Sequence, residues 1–197
     1  MLAARRKDRL NDLAVELESH HRVDIRVVEV DLSTHDGPDL LAAACADLEI
    51  GVLINNAGLR YAGRFDKQDA DRLRELVMVN CAAPVVLTSK LLPGMKERGR
   101  GAVIFTGSVA GRQPVPLHGV YSATKSFDQL LGESLYVELR KDGIDVLVLE
   151  PGTTETEFHE VAGEIPHAGQ SAAEGVEIAI SAVGRSEEHT SELQSQA

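Results

Sequence analysis

Four short apolar runs limit what this chain can fold into. They are Asp24–Leu32 (DIRVVEVDL), Ile50–Ile54, Ala102–Thr106 and Ile144–Leu149, and each is followed by a turn signal. Before and between them lie segments of helical length and period: Arg5–His20, Asp39–Leu48, Asp69–Arg98 with Pro84 inside it, and Val120–Lys141. Gly37-Pro38 reads as a break, Asn55-Asn56-Ala57-Gly58 as a turn, and Asp142-Gly143 as a helix stop. Pro151-Gly152 ends the last run, a polar loop extends to about Ser171, and Ala172–Val183 has helical character. Strand and helix therefore alternate. Runs that are apolar on both faces belong to a parallel sheet covered by helices on both sides, so the expected architecture is a doubly wound α/β sheet.

Composition narrows the function. The chain has 197 residues and is 43% hydrophobic, enough for one domain with a core. A net charge of -11 argues against nonspecific nucleic-acid binding. Cys45 and Cys81 are expected to be small buried hydrophobes in a reducing compartment, and no Cys/His cluster stands at metal-ligand spacing, so no metal is expected. No apolar run has the length of a membrane span, and no apolar stretch follows Arg5-Arg6-Lys7 as a secretory signal requires. A cytoplasmic protein without a membrane span is the expectation.

The stretch from Gly101 to Lys125 carries the chemistry. Its strand breaks at Gly107-Ser108, leaving a hydroxyl at the carboxyl end. A loop with Pro114, Val115, Pro116 and Leu117 follows, and the next helix bears Tyr121 and Lys125 one turn apart on one face. Crevices at the carboxyl ends of parallel strands are where such sheets bind ligands. Taken singly, each residue also has a plain structural reading. Ser108 suits a turn cap, Asn80 a buried polar group bonded to a carbonyl, and the Tyr-Lys pair a packed surface. Tyr61 and Tyr136 read as packing residues.

In order and spacing, Asn55-Asn56-Ala57-Gly58, Asn80, Ser108, Tyr121-Ser122-Ala123-Thr124-Lys125 and Pro151-Gly152 with Thr154 and Thr156 together resemble the short-chain dehydrogenase/reductase family. The resemblance covers residues 1 to about 184 and implies a Rossmann-type fold. It implies an oxidoreductase that moves a hydride between NADP(H) and a ketone or secondary alcohol. In that scheme Tyr121 is the general acid and base. Lys125 lowers the Tyr121 pKa and holds the nicotinamide ribose. Ser108 orients the substrate oxygen, and Asn80 holds a water of the proton relay. The implied cofactor-binding set is Arg5, Asp31, Leu32, Asn56, Ala57, Gly58, Tyr121, Lys125, Pro151, Gly152, Thr154 and Thr156. Within it Asp31 meets the adenine, Pro151-Gly152 the nicotinamide amide, and Thr156 the pyrophosphate side. Asp31 also fits a plain turn-forming role. With Ala4 where the family's NAD-selecting acid falls and Arg5 beside it, NADP is expected rather than NAD. The resemblance further implies a homodimer or homotetramer and a small, apolar carbonyl or alcohol substrate.

The chain departs from the family at both ends. The glycine-rich turn with its first strand, and the last strand, have no counterpart here, so the expected sheet is incomplete and split where its central strand would lie. Residues 185–197 lack apolar periodicity and have the look of translated adapter sequence. The expected organisation is therefore a partial domain over 1–184 and a non-native, disordered tail over 185–197. A non-catalytic dinucleotide-binding regulator and an inactive fragment are the alternatives. Retention of Asn80, Ser108, Tyr121 and Lys125 favours the enzyme over the regulator.

Overall fold

The computed structural model describes residues 1–152 and, beyond them, Glu177, Ser181 and Val183. The expectations for Thr154, Thr156, the loop 153–170 and the tail 185–197 fall outside the described residues. Among the described residues the elements run β1 Leu2–Ala4, α1 Lys7–His20, β2 Val27–Glu29, α2 Gly37–Ala43, β3 Val52–Asn55, α3 Ala70–Val77, α4 Ala83–Arg98, β4 Gly101–Thr106, α5 Gly119–Leu139 and β5 Ile144–Leu149.

All strand pairs are parallel, as the two-sided apolar runs require, but they form two sheets. One pairs β1 with β2; the other runs β3-β4-β5, with β4 central. The split falls where the sequence places it. Among the described residues β3 pairs on one edge only. One of its faces is uncovered, leaving Val52 51% and Ile54 58% exposed. A cleft of about 450 Å³, lined by residues that include Met1, Ile25, Ile50 and Val52, opens between the amino ends of the two sheets. The two sheets still share a core: Val30, Leu41 and Leu87 are buried together, with Ala3, Val28 and Leu53 packed against them.

The main core lies between α4, α5 and the three-stranded sheet. Met95, Val103, Phe105, Leu139, Ile144 and Val146 bury one another there. Close approach of α5 to β5 depends on Gly132, where an added Cβ would stand 2.2 Å from Val148 Cγ2.

Several expected boundaries shift. The second strand is confined to Val27–Glu29, in register with the three residues of β1; the Leu2 N–H to the Arg26 carbonyl and the Val30 N–H to the Ala4 carbonyl close the pairing at its two ends. Gly37-Pro38 starts α2 rather than breaking the chain, with proline in the first turn, where its missing N–H costs nothing. The expected long helix is capped at Asp69, whose carboxylate accepts from the N–H groups of Asp71 and Arg72 at 2.8 and 3.1 Å. It then runs without a break to Arg98 through a π-helical turn at Met78–Ala82. That continuity corrects one expectation. Ala70–Arg98, 29 residues, has the length and apolar composition of a membrane span. Charges in its first turns, Asp71, Arg72, Arg74 and Glu75, leave it without an uninterrupted apolar run of that length. In this fold the stretch buries Leu76, Val79, Asn80, Leu87 and Met95 against the rest of the chain.

Candidate active site

The carboxyl ends of β3, β4 and β5 deliver Asn56–Gly58, Ser108 and Pro151-Gly152 to one side of the sheet, and the first turns of α5 bring Tyr121 and Lys125 to the same side. Tyr121 is buried with Leu59, Leu76 and Val79, and Lys125 is only 5% exposed. The guanidinium of Arg60 lies over the Tyr121 ring, 5.6 Å from its centre.

Two elements are stitched together to make this site. After β4 the chain turns through a short 3-10 segment, Val109–Arg112, and Ser108 caps it, its Oγ accepting from the Ala110 N–H at 3.2 Å. The same turn packs directly on the backbone of α5. A Cβ on Gly111 would stand 2.7 Å from the carbonyl carbon of Lys125, so only glycine fits. Ser126 Oγ donates to the Gly111 carbonyl across this contact. Ser108 is therefore held beside the Tyr121–Lys125 face by a glycine and a seryl hydroxyl, neither of them among the expected site residues.

Asn80 sits in the π-helical turn, 1% exposed, and its amide is fully used. Its Oδ1 accepts from the Leu59 N–H at 2.8 Å. Its Nδ2 donates to the Leu59 carbonyl at 2.9 Å and to Thr124 Oγ1 at 3.0 Å. A widened turn is a common device for aiming a side chain out of a helix at a functional site. Here it aims an amide at the loop that follows Gly58. The contacts made are those of the plain structural reading, a buried amide that clamps backbone. A Cβ on Gly58 would lie 3.7 Å from Asn80 Oδ1 and 3.8 Å from Lys125 Nζ, so turn, amide and ammonium share one small space.

Lys125 Nζ donates to the Thr106 carbonyl at 2.5 Å and to Asp128 Oδ2 at 3.0 Å. Asp128 is 3% exposed; burial pushes its carboxyl up, and Lys125 opposes that shift. Beside them the Cys81 thiol is pushed up to about 11 by burial and then by Asp128, against the pull of Lys125. Cys45 is buried and Cys81 half-buried; both are free, as expected.

At the far end of the crevice, Asp31 accepts from the Ser33 N–H at 2.9 Å and the Ser33 hydroxyl at 2.7 Å, so it does form a turn. Partial burial pushes its carboxyl up, but Ser33 and the Arg5 guanidinium, 4.0 Å away, outweigh this and hold it below the usual range. Arg5 bonds more closely to Glu75 of α3, at 2.9 Å. Glu75 also accepts from the Tyr61 hydroxyl at 2.9 Å, and Arg72 stacks over that ring at 4.0 Å. Tyr61 thus belongs to a polar network rather than to simple packing. The structure brings Asn56, Gly58, Asn80, Ser108, Tyr121 and Lys125 to one end of the sheet, and sets Arg5 and Asp31 together at the end of the separate β1-β2 pair. Glu75 and Asp128 were not foreseen. The Lys125-to-Asp128 spacing, one helical turn, was the available signal for the second; nothing local signals the first.

The short chain dehydrogenase family model matches residues 1–165, so the chain belongs to that family. Human very-long-chain 3-oxoacyl-CoA reductase is 34% identical over 155 residues, 77% of this chain and 50% of its own length. A 7beta-hydroxysteroid dehydrogenase from Clostridium sardiniense is 32% identical over 156 residues, 79% of this chain and 60% of its own length. Among solved structures, a short-chain dehydrogenase from Sphingobium yanoikuyae in complex with NADPH superposes with a TM-score of 0.88 at 32% identity, over 93% of this chain and 74% of the other. The bulky-bulky ketone specific alcohol dehydrogenase from Comamonas testosteroni gives 0.83 at 32% identity, over 93% and 71%. The chain spans about half the length of the curated relatives it matches first.

Proposed function

We propose that the protein reduces a bulky, apolar ketone with NADPH, or oxidises the corresponding secondary alcohol with NADP. One observation carries this reading. Ser108, Tyr121 and Lys125 are held at one end of the sheet by direct stitching of the β4 turn to α5, and Lys125 keeps a donor to spare. An ammonium has three N–H groups, and among the described residues two are taken, by Thr106 and Asp128.

The residues present fit a dinucleotide. Gly58 has only ordinary contacts where a Cβ would stand, so backbone can approach a ligand there. Lys125 would hold the nicotinamide ribose, and Arg5 the 2′-phosphate, in place of its bond to Glu75. The nicotinamide supplies the hydride when bound. This chain supplies the proton. The Tyr121 phenol gives it to the carbonyl oxygen, and the Lys125 charge one turn away makes the phenolate accessible in the reverse direction. Ser108 Oγ spends only an acceptor on Ala110, so its own proton is free for the substrate oxygen.

The loop ahead of α5 supports the proposed substrate class. Leu117 is held at φ 68, a costly conformation for a branched residue, by its carbonyl's bond to the Gly63 N–H at 2.9 Å, and its side chain is 55% exposed. Backbone strain that displays an apolar side chain beside a reactive site suits a large apolar substrate. The relatives named for bulky ketones, hydroxysteroids and very-long-chain 3-oxoacyl-CoA point the same way. The test is loss of reduced-nicotinamide absorbance with a panel of ketones of rising bulk. Reduction of bulky aryl or steroid ketones with NADPH is expected. No turnover with any ketone, or a clear preference for NADH, overturns the reading.

A further inference from the structure

We propose that Asp128 is a positioning residue for Lys125, a buried counter-ion that keeps the ammonium charged and draws it back onto the Thr106 carbonyl.

Lys125 lies one-twentieth exposed at the floor of the crevice. A lysine that dry sheds its proton unless a negative charge stands beside it. A neutral amine could neither lower the Tyr121 pKa nor hold a ribose by charge. The Thr106 carbonyl accepts a hydrogen bond but carries no net charge. Asp128 does, one turn along α5, with Oδ2 at 3.0 Å and both partners buried. The other oxygen of Asp128, Oδ1, is buried with no hydrogen-bond partner. Packing alone does not place a half-satisfied carboxylate in a core, because an apolar residue fills the same volume at lower cost. What the carboxylate adds is charge.

The surroundings leave that charge to act on Lys125. β4 has no ionisable side chain. Arg112 of the capped turn is taken by Glu150. Asp145 of β5 stands at the opposite end of that strand, in register with Ala102. Cys81, from the π-helical turn, is the titratable neighbour that couples to the pair, and its thiol stays protonated through neutral pH. A ribose or the Tyr121 phenolate must therefore compete with Asp128 for the ammonium.

The catalytic meaning of the pair rests on the function proposed above; its existence does not. In the cofactor-free 197-residue chain labelled with 13C-lysine, the Cε resonance of Lys125, assigned by its loss in Lys125→Arg, is followed against pH. Asp128→Asn is expected to lower the midpoint of that titration relative to wild type by about one unit, a tenfold rise in neutral amine at a given pH. Asp128→Glu should recover most of that shift, which a purely structural role does not explain. An unchanged Lys125 titration in folded Asp128→Asn overturns the proposal. Should Asp128→Asn fail to fold, competitive acetylation of the wild type decides. Lys125 reacting far more slowly than exposed Lys7 and Lys67 supports the pair, and equal rates overturn it. Absence of ketone reduction would sink the proposed activity and leave this result standing.

Discussion

Tyr121 presents its phenol in the first turn of α5, one turn ahead of Lys125. Replacing Tyr121 with Phe removes the phenol proton and keeps the ring, so kcat should fall by roughly 100-fold or more while NADPH affinity holds. Retention of more than about a tenth of kcat would remove Tyr121 from the acid role. Arg5 tests the cofactor. It is already paired with Glu75, so a phosphate must displace that carboxylate. Arg5→Ala should still weaken NADPH far more than NADH, by ~10- to 100-fold, the worth of a charge-assisted contact. Equal changes in the two Kd values would show that Arg5 does not meet the 2′-phosphate. Ser108, Tyr121 and Lys125 were legible as candidates because each stands at a strand end or a helix face that the sequence pattern marks. Glu75 and Asp128 were not. Glu75 meets Arg5 across a distance of 70 residues in the chain, and Asp128 reads as an ordinary surface acid until α5 is seen to turn it inward.

At the scale of elements, the π-helical turn at Met78–Ala82 does the most with the least. It puts one amide into three hydrogen bonds and ties the turn after β3 to α5. Asn80→Ala would leave the Leu59 N–H and carbonyl and the Thr124 hydroxyl short of partners in a buried place. A loss of about 2–4 kcal/mol is expected, with a fall in Tm of roughly 5–15 °C, read by circular dichroism. An unchanged Tm would mean that water replaces the amide. Strands β3, β4 and β5, the continuous helix from α3 through α4, and α5 were readable within a few residues, because a long apolar strand or a periodic helix states its own environment. The π-turn was not, since five residues with one extra in the ring leave no mark on periodicity. Gly37-Pro38 misled for a related reason: the dipeptide punctuates the chain equally at a break and at a helix start.

The whole molecule is governed by its divided sheet. The uncovered face of β3, with Val52 and Ile54 exposed beside an unpaired edge, invites association between copies. Ile54→Lys should reduce that association, measured by sedimentation velocity across a concentration series. Equal weight-average masses for the two proteins would show that the β3 face is not where copies meet. The split itself was legible, because it follows from which strand lacks a counterpart. The shared cluster of Val30, Leu41 and Leu87 was not, because those residues meet only once α2 and α4 pack.

The unequal pairing of the strands also sets a clock. β4 is bonded on both sides and its Val103 and Phe105 are fully buried, whereas β1 is three residues bonded on one side. Transferred to deuterated water, the backbone amides of β4 would exchange only when the whole core opens, and those of β1 and β2 by a smaller, separate opening. The molecule then has two lifetimes rather than one: a durable block from β3 to β5 that holds Ser108, Tyr121 and Lys125, and a shorter-lived flap that carries Arg5 and Asp31.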